Sequence, residues 1–332
     1  MMYLFLIGGL FLGWSFGRNN LCNVFGTAVG TRMVSFRVAA LSAALFVVAG
    51  VLFSSSQTTD AMRVVADISS VQGAFAVSVA IAVTFLVFGR IGVPVSIVQS
   101  SVGALVGWNL FFDLANNWPA VWEMVGAWFY CPIVAALLAV VGFYGARFLL
   151  KHIQIPLLYR DSLVRIMLIL SGVYTSYFLG ANNIPAIAGP YLNVNGLNVF
   201  AVMMLVSVFV ALGMMMADRR VILTVSSGLY PLSPMEALVV VLACGVTLYC
   251  FSGTGLQHLL MYLHCPSFPL VPVPTSGILV GSILGVGLVK GHAGIKWGSF
   301  CKVVSSWILI PVISGLICYA ILFIFMEKGI VL

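Results

Sequence analysis

Two short polar stretches interrupt apolar segments of the chain, and each contains a pair of asparagines. GRNN occupies residues 17–20 and is followed by Asn23, and GANN occupies residues 180–183. An asparagine amide offers two N–H donors and a carbonyl acceptor, and asparagine favours the N-cap of a helix. If a helix breaks and restarts here, its free N–H groups and the positive end of its dipole face the break, which suits an anion. The residues expected to line this anion pocket, unless their amides only cap or bridge helices, are Asn19, Asn20, Asn23, Asn182 and Asn183.

Two further polar segments contain prolines inside apolar runs. They are GVPVSIVQSS at residues 92–101 and VPVPTSG at residues 271–277. Proline ends the helix before it and is tolerated in the first turn of the next helix, so each segment predicts the tip of a re-entrant hairpin. Hydroxyl and amide groups in that first turn can donate to an oxyanion, although serine and threonine can instead bond back to their own helix. The predicted tip residues are Ser96, Gln99, Ser100, Thr275 and Ser276.

The composition places these motifs in a membrane protein. Of the 332 residues, 62% are apolar and only 7% are charged, whereas soluble domains carry about 25% charged residues. Apolar stretches long enough to cross about 30 Å of hydrocarbon recur along the chain, and about ten would fit in the bilayer. In such a protein the net charge of +7 is expected to record topology, so no nucleic-acid partner is predicted.

The other reactive side chains predict no cofactor, metal site or active site. The seven cysteines lie mostly in apolar runs without CxxC pairs, and the four histidines are scattered, so neither a disulfide framework nor a metal cluster is expected. No histidine is paired with a cysteine or a carboxylate at a ligand spacing, and no placed base or nucleophile is visible. The sequence therefore does not favour an enzyme.

Three landmarks of the first half recur in the second half in the same order. GRNN and GANN are offset by 163 positions, the proline segments that begin at residues 94 and 272 by 178, and WFYCP at 128–132 and WILIP at 307–311 by 179. This order and spacing indicate an internal repeat of about 165 residues. We expect a first repeat at residues 1–150, a cytoplasmic connecting segment at 151–165 and a second repeat at 166–332.

The basic residues indicate that the two repeats have opposite orientations, because short cytoplasmic loops accumulate Lys and Arg. Arg32 and Arg37 follow the first motif, whereas the equivalent segment at 191–198 has no basic residue. Conversely, residues 111–123 include none, and their counterpart at 290–302 carries three lysines. The join around Arg147 to Arg165 is then cytoplasmic, and both termini lie outside.

The predicted fold is therefore an all-α polytopic membrane protein made of two inverted-topology repeats, with broken helices and re-entrant hairpins. Inverted repeats are typical of secondary transporters, whose substrate lies near mid-membrane between the repeats, where helices are discontinuous.

The motifs resemble those of the inorganic phosphate transporter family, which includes phosphate and sulfate permeases. GRNNLCN and GANNIPA resemble its paired GANDxAN motifs, FGTAVG follows the first of them, the proline segments resemble its PVSTTH hairpins, and a W-x3-P lies near the end of each half. The resemblance spans essentially the whole chain. It implies an oxyanion site formed by the paired motifs, transport coupled to Na⁺ or H⁺, a homodimer, and a place in the lipid bilayer of the cell (inner) membrane.

The chain departs from the family pattern at positions that carry charge. Asn20 and Asn183 stand where the family has aspartate, Arg18 replaces an alanine, and Gln99 replaces a histidine. Aspartate is a natural ligand for Na⁺ and a natural acceptor for the proton of hydrogen phosphate, and asparagine serves both roles less well. The departures therefore disfavour sodium coupling through these positions and favour an oxyanion without a proton, such as sulfate.

Arg18 raises a separate expectation. An unpaired arginine facing lipid costs at least about 2.5 kcal/mol, so Arg18 should face a cavity, an anion or a carboxylate, unless it snorkels to the interface. If it faces the pocket, it joins the substrate-binding residues.

The function that the sequence favours is an ion-coupled permease for a tetrahedral oxyanion. Phosphate is favoured by the family and sulfate by the chemistry of the site. An intramembrane transferase and a channel remain as less favoured alternatives.

Overall fold

The computed structural model describes residues 5–90, 95–152, 156–217, 230–291 and 294–327. These residues form twelve α-helices and a 3-10 turn at Gly189–Tyr191, and none of them lies in a strand. The first six helices are α1 (Ile7–Gly30), α2 (Phe36–Ser54), α3 (Ser56–Arg63), α4 (Val71–Arg90), α5 (Ile97–Phe111) and α6 (Trp118–His152). The others are α7 (Leu157–Ala188), α8 (Val199–Met215), α9 (Pro234–Cys250), α10 (Thr254–Tyr262), α11 (Thr275–Lys290) and α12 (Trp297–Glu327).

Several of these helices are long and apolar enough to cross a membrane. Among the described residues there are five such helices, namely α2, α4, α6, α7 and α12, and α9 with α10 would make a sixth span that bends by 70°. Helices α5, α8 and α11 are apolar but shorter. The prediction of an all-α, multi-pass membrane protein is confirmed, and the segment expected at 151–165 falls largely within the ends of α6 and α7.

The expectation that helices break at the two asparagine motifs is wrong, because α1 and α7 run through them without interruption. In α1 the amide of Asn19 donates to the carbonyl oxygen of Ser15 at 3.0 Å, and that of Asn20 donates to Phe16 at 3.2 Å. These bonds return the polar groups to the preceding turn of the same helix. The amides therefore need no break to be satisfied.

Pro185 does not break α7, although it lacks the N–H that would bond the carbonyl oxygen of Ala181. The hydroxyl of Thr58 in α3 donates to that oxygen at 2.7 Å. Since the freed carbonyl is satisfied from a neighbouring helix, α7 can continue through the proline, as membrane helices do elsewhere.

Close backbone contacts at glycines fix how the central helices cross. A Cβ at Gly17 of α1 would collide with the carbonyl oxygen of Val210 in α8, and a Cβ at Gly180 of α7 would collide with that of Val47 in α2. The reciprocal contacts join Gly213 to Trp14 and Gly50 to Tyr177. Every residue of one crossing is 163 positions from its equivalent in the other. Both motif glycines therefore have the same structural role, which is to let two helix backbones pack closely.

The short helices that follow the proline segments pack in a second matching pair. Gly103 of α5 lies against the backbone of Pro311 in α12, and Gly281 of α11 lies against the backbone of Pro132 in α6. Each crossing therefore joins a helix of one half to a helix of the other half. The residues that the two glycines contact are the prolines of the WFYCP and WILIP segments.

The equivalent helices α1 and α7 run antiparallel. The N–H of Gly9, early in α1, donates to the hydroxyl of Tyr191, just after α7, at 3.2 Å. Late in α1, the ring of Phe25 fills the space where Gly172 of α7 would carry a Cβ. This direction is the one that inverted repeats require, and the inverted relation of residues 1–150 and 166–332 stays a prediction.

We expect Gly17→Ala and Gly180→Ala to lower the stability of the protein by about 1–3 kcal/mol each, because the added methyl group must push two helices apart. The measurement is thermal unfolding of the purified protein in detergent. Gly145→Ala is the matched control: a Cβ there meets no atom within 4 Å, and alanine is the better helix former, by about 0.5–1 kcal/mol. Equal melting temperatures for all three variants would contradict the glycine crossings.

Candidate functional site

Asn182 of the second motif is fully buried and joins three parts of the chain. Its amide nitrogen donates to Ser252 Oγ at 2.9 Å, where α9 ends, and to the carbonyl oxygen of Val271 at 3.0 Å, in the segment before α11. Its Oδ1 accepts from the N–H of Val273 at 2.7 Å. Asn182 therefore clamps the predicted hairpin segment and the bend between α9 and α10 onto α7.

Asn183 extends this network to the tip of the hairpin. Its amide nitrogen donates to Asn182 Oδ1 at 3.2 Å, and its own Oδ1 accepts from Thr275 Oγ1 at 3.2 Å. Thr275 is the first residue of α11. The structure therefore brings three of the predicted residues together, and Asn183 lies at the end of the network nearest the helix N-terminus.

The first motif is arranged differently. Asn23 donates to Asn20 Oδ1 at 2.6 Å, and both side chains are buried, whereas Asn19, the equivalent of Asn182, is exposed. The first hairpin segment, which Asn19 would face if the halves matched, includes residues 91–94, and these lie outside the described residues. Asn20 and Asn23 form a pair on α1, and within the described chain their amides bond only to α1.

The tip of α5 uses some of its predicted residues for its own helix. Ser96 is the N-cap, and its hydroxyl accepts from the N–H of Gln99 at 3.4 Å. The hydroxyl of Ser100 donates to the carbonyl oxygen of Ser96 at 3.0 Å. These two serine hydroxyls therefore bond to their own helix, which was the alternative to binding an oxyanion.

Two predicted tip residues are buried without a bonded partner among the residues that the structure describes. They are Gln99, whose amide oxygen and nitrogen are both unpartnered, and Ser276 of α11. A buried polar group without a partner costs about 1–3 kcal/mol, so each calls for a functional reason. Among the predicted tip residues, these two therefore have spare hydrogen-bonding capacity.

Helix α12 packs against both of the helices that begin at the tips. A Cβ at Gly277, next to Ser276, would lie 3.4 Å from Trp307 Cζ2. Trp307 also lies one turn before Pro311, which contacts Gly103, and Gly103 lies one turn after Gln99. Helix α12 therefore contacts α11 at Trp307 and α5 at Pro311.

Sequence reasoning missed the indole N–H groups of Trp128 and Trp307. Both are buried and, within the described ranges, have no acceptor. The signal was present, because the two tryptophans occupy equivalent places in the repeated W-x3-P segments. An indole N–H can only donate, so these residues add buried donors on α6 and α12, the helices that pack against α11 and α5.

Arg18 is exposed, and its guanidinium lies 5.5 Å from the centre of the Trp14 ring on the same helix. No carboxylate of the described residues lies within 4 Å of it, since the one ion pair among them joins Lys290 to Glu236. A cation–π contact of this kind stabilises the charge modestly. Whether Arg18 binds the substrate stays a prediction.

The electrostatics of the site follow from its residue types. The motif positions and the tips present amides, hydroxyls and indole N–H groups, and the two places where relatives are expected to carry aspartate are neutral. In the described part of the chain no group of three His, Cys, Asp or Glu side chains could hold a metal ion. The arrangement is suited to binding a small anion through neutral donors.

We expect Asn182→Ala to destabilise the protein by about 1–3 kcal/mol or more, because several buried partners lose their bonds together. Asn19→Ala is the matched control, since Asn19 occupies the equivalent position but is exposed and bonds only its own helix; its effect should be within about 0.5 kcal/mol. Thermal unfolding in detergent makes the comparison. Similar losses in both variants would show that Asn182 is not a clamp.

Known proteins resemble this chain over most of its length. A protein of Methanocaldococcus jannaschii that bears the name "Putative phosphate permease" is 26% identical over 316 residues, which cover 95% of both chains. The sulfate permease of Bacillus subtilis is 24% identical over 251 residues, which cover 75% of this chain and 65% of that protein.

The fold also matches a solved structure described as the sodium-dependent phosphate transporter, with a TM-score of 0.78 at 21% identity, over 98% of this chain and 99% of the other. The sequence model of the phosphate transporter family matches residues 16–257 and 261–331. These matches cover both asparagine motifs and both hairpin tips, and the chain belongs to the phosphate transporter family.

Proposed function

We propose that this chain is an ion-coupled permease that carries inorganic phosphate across a membrane. The observation that carries the proposal is a pair of helix N-termini, those of α5 and α11, whose first turns contain the buried side chains Gln99 and Ser276 with unused hydrogen-bonding groups. The family match and the names of the relatives support phosphate as the substrate. The fold and the family are those of transporters, and we propose no catalytic reaction.

The proposed binding mode uses the ends of helices. The first N–H groups of a helix lack partners within the helix, and its dipole places partial positive charge at the N-terminus. Gln99 lies in the first turn of α5 and Ser276 in the first turn of α11. Their side chains add donors to those of the backbone, so a tetrahedral anion between the tips would accept hydrogen bonds from both halves of the protein.

The second motif would hold one of these tips in place. Asn182 fixes the segment before α11, and Asn183 orients the hydroxyl of Thr275. We therefore propose that Asn182 positions the site, whereas Asn183, Thr275, Gln99 and Ser276 are candidates for contact with the substrate. Asn20 and Asn23 would take part from the first half.

Sulfate is the second candidate substrate, favoured by the neutral motif positions. Hydrogen phosphate carries a proton and needs one good acceptor, whereas sulfate at neutral pH needs donors only. Asn20 and Asn183 offer amide oxygens, which are weaker acceptors than carboxylates, and Asn183 Oδ1 already accepts from Thr275. A relative named as a sulfate permease belongs to the set that the chain matches.

The coupling ion and the assembly are further parts of the proposal. The name of the matched structure supports Na⁺, although oxygen ligands at the motif would have to come from amides and hydroxyls rather than carboxylates. H⁺ is the alternative. We also propose a homodimer in the cell (inner) membrane, with two inverted repeats, both termini outside, and the basic join between α6 and α7 in the cytoplasm.

Uptake into liposomes tests the substrate and the coupling ion. We expect the purified protein to take up labelled phosphate in a saturable manner when a Na⁺ or a pH gradient is imposed, with choline replacing Na⁺ as the control. The double variant Asn20→Asp and Asn183→Asp should lose sulfate transport more than phosphate transport and depend more strongly on Na⁺ than the wild type, because carboxylates accept a proton and bind the cation. Faster transport of sulfate than of phosphate by the wild type would favour the second candidate, and uptake without a gradient dependence would contradict ion coupling.

Substitutions at the tips test the site itself. We expect Gln99→Ala and Ser276→Ala each to raise the KM for phosphate about tenfold, which corresponds to a lost hydrogen bond of about 1.4 kcal/mol, without lowering the melting temperature. Ser305→Ala is the control, because that hydroxyl is exposed and bonds the carbonyl oxygen of Cys301 in its own helix. An unchanged KM in both tip variants would rule out the tips as the binding site.

A further inference from the structure

A large apolar groove lies away from the candidate site, between α6, α7 and α9. Its volume is about 530 Å³, which is in the range of a small-molecule site. Leu149 of α6, Leu163 of α7 and Leu242 of α9 are among the residues that line it, and all three are exposed. The groove therefore opens sideways from the bundle, toward the hydrocarbon of the bilayer.

One end of the groove is formed by three helix ends. Helices α7 and α9 run in the same direction, since Thr175 donates to the carbonyl oxygen of Val241 at 3.0 Å and the rings of Phe178 and Tyr249 lie 5.1 Å apart further along. The residues that line this end include Leu149 near the C-terminus of α6, Leu163 near the N-terminus of α7 and Met235 near the N-terminus of α9. The C-terminus of α6 and the N-termini of α7 and α9 therefore meet at the same end.

That end carries positive charge that faces the groove. Arg160 lies one turn before Leu163 and Val164 of α7, so the three share one helix face. Arg160 is half-buried, and no carboxylate of the described ranges lies within 4 Å of its guanidinium. A half-buried arginine without a partner favours an anion, and the N-termini of α7 and α9 add partial positive charge.

The acidic residues nearby do not cancel this charge. Glu236, in the first turn of α9, accepts a bond from the N–H of Ser233 at 2.8 Å and pairs with Lys290 at 2.6 Å. Asp161 follows Arg160 in the chain, about 100° further round α7, and is exposed. The open end of the groove thus keeps a net positive character.

We propose that this groove binds an anionic phospholipid, with an acyl chain along α6, α7 and α9 and the phosphate of the headgroup at Arg160. An apolar channel with one basic end matches a molecule that has an apolar tail and one charged end. Basic pockets between membrane helices bind anionic headgroups in this way. The site is separate from the hairpin tips, so this proposal goes beyond the transport function and does not depend on it.

Retention of lipid by the purified protein tests the proposal. The protein in detergent is titrated with dioleoylphosphatidylglycerol or dioleoylphosphatidylcholine, and the bound lipid is counted by native mass spectrometry. We expect the wild type to bind the phosphatidylglycerol more tightly. Arg160→Gln should weaken that binding about fivefold, as expected for one basic residue near a headgroup, and should leave phosphatidylcholine binding unchanged.

Two further variants make the result specific. Arg165→Gln removes the same charge from α7 but lies about 140° round the helix from Arg160, so it should bind phosphatidylglycerol as the wild type does. Gly145→Phe places a ring in the groove, where a Cβ meets no atom within 4 Å, and should reduce the binding of both lipids.

Other outcomes would overturn the proposal. Equal effects of Arg160→Gln and Arg165→Gln would show that the basic end only attracts lipid in general. If Gly145→Phe changes the oligomeric state and leaves lipid binding intact, the groove receives a second copy of the chain instead. Because the readout is bound lipid, failure here would leave phosphate uptake untouched, and failure of uptake would leave this result standing.

Discussion

The carbonyl oxygen of Val210 occupies the space that a side chain at residue 17 would need, and the carbonyl oxygen of Val47 does the same at residue 180. These contacts set the distance between α1 and α8 and between α7 and α2, and each crossing joins the two halves. The first asparagine of each motif lies two residues after the glycine, so the crossing also fixes where the amides can reach. The remaining polar contacts of the interior depend on this backbone packing, because hydrogen bonds of about 3 Å tolerate little displacement.

The two halves use the same packing for different tasks. Asn182 holds the segment before α11 through buried bonds, whereas its counterpart Asn19 is exposed and bonds only its own helix. Pro185 has no counterpart in the first motif, where Cys22 takes its place. The second half therefore holds its hairpin through α7. Within the described residues the two asparagine motifs therefore have different bonding partners.

The interior around the tips is polar but neutral, and this shapes the proposed chemistry. A buried charge is costly unless it is paired, whereas amides and hydroxyls can be buried when they bond one another. Asn182, Asn183 and Thr275 satisfy each other in this way. Gln99, Ser276 and the two tryptophans do not. An anion bound by this second set of side chains would accept hydrogen bonds from donors that otherwise have no partner. Its binding would therefore be stronger than binding by donors that already bond to water.

The sequence by itself determined the membrane class, the helical fold and the positions of the repeat landmarks, because composition and repeated motifs are local properties of the chain. It also placed the starts of α5 and α11 correctly, since Ser96 and Pro274 act through their immediate neighbours. It did not determine whether α1 and α7 break, because the bond from Thr58 to Ala181 joins residues 123 positions apart. Nor did the sequence show that Asn182 holds the segment before α11, or that the side chain of Gln99 is buried without a hydrogen-bond partner. Those roles depend on which partners the fold brings within hydrogen-bonding distance, and only the tertiary structure decides that.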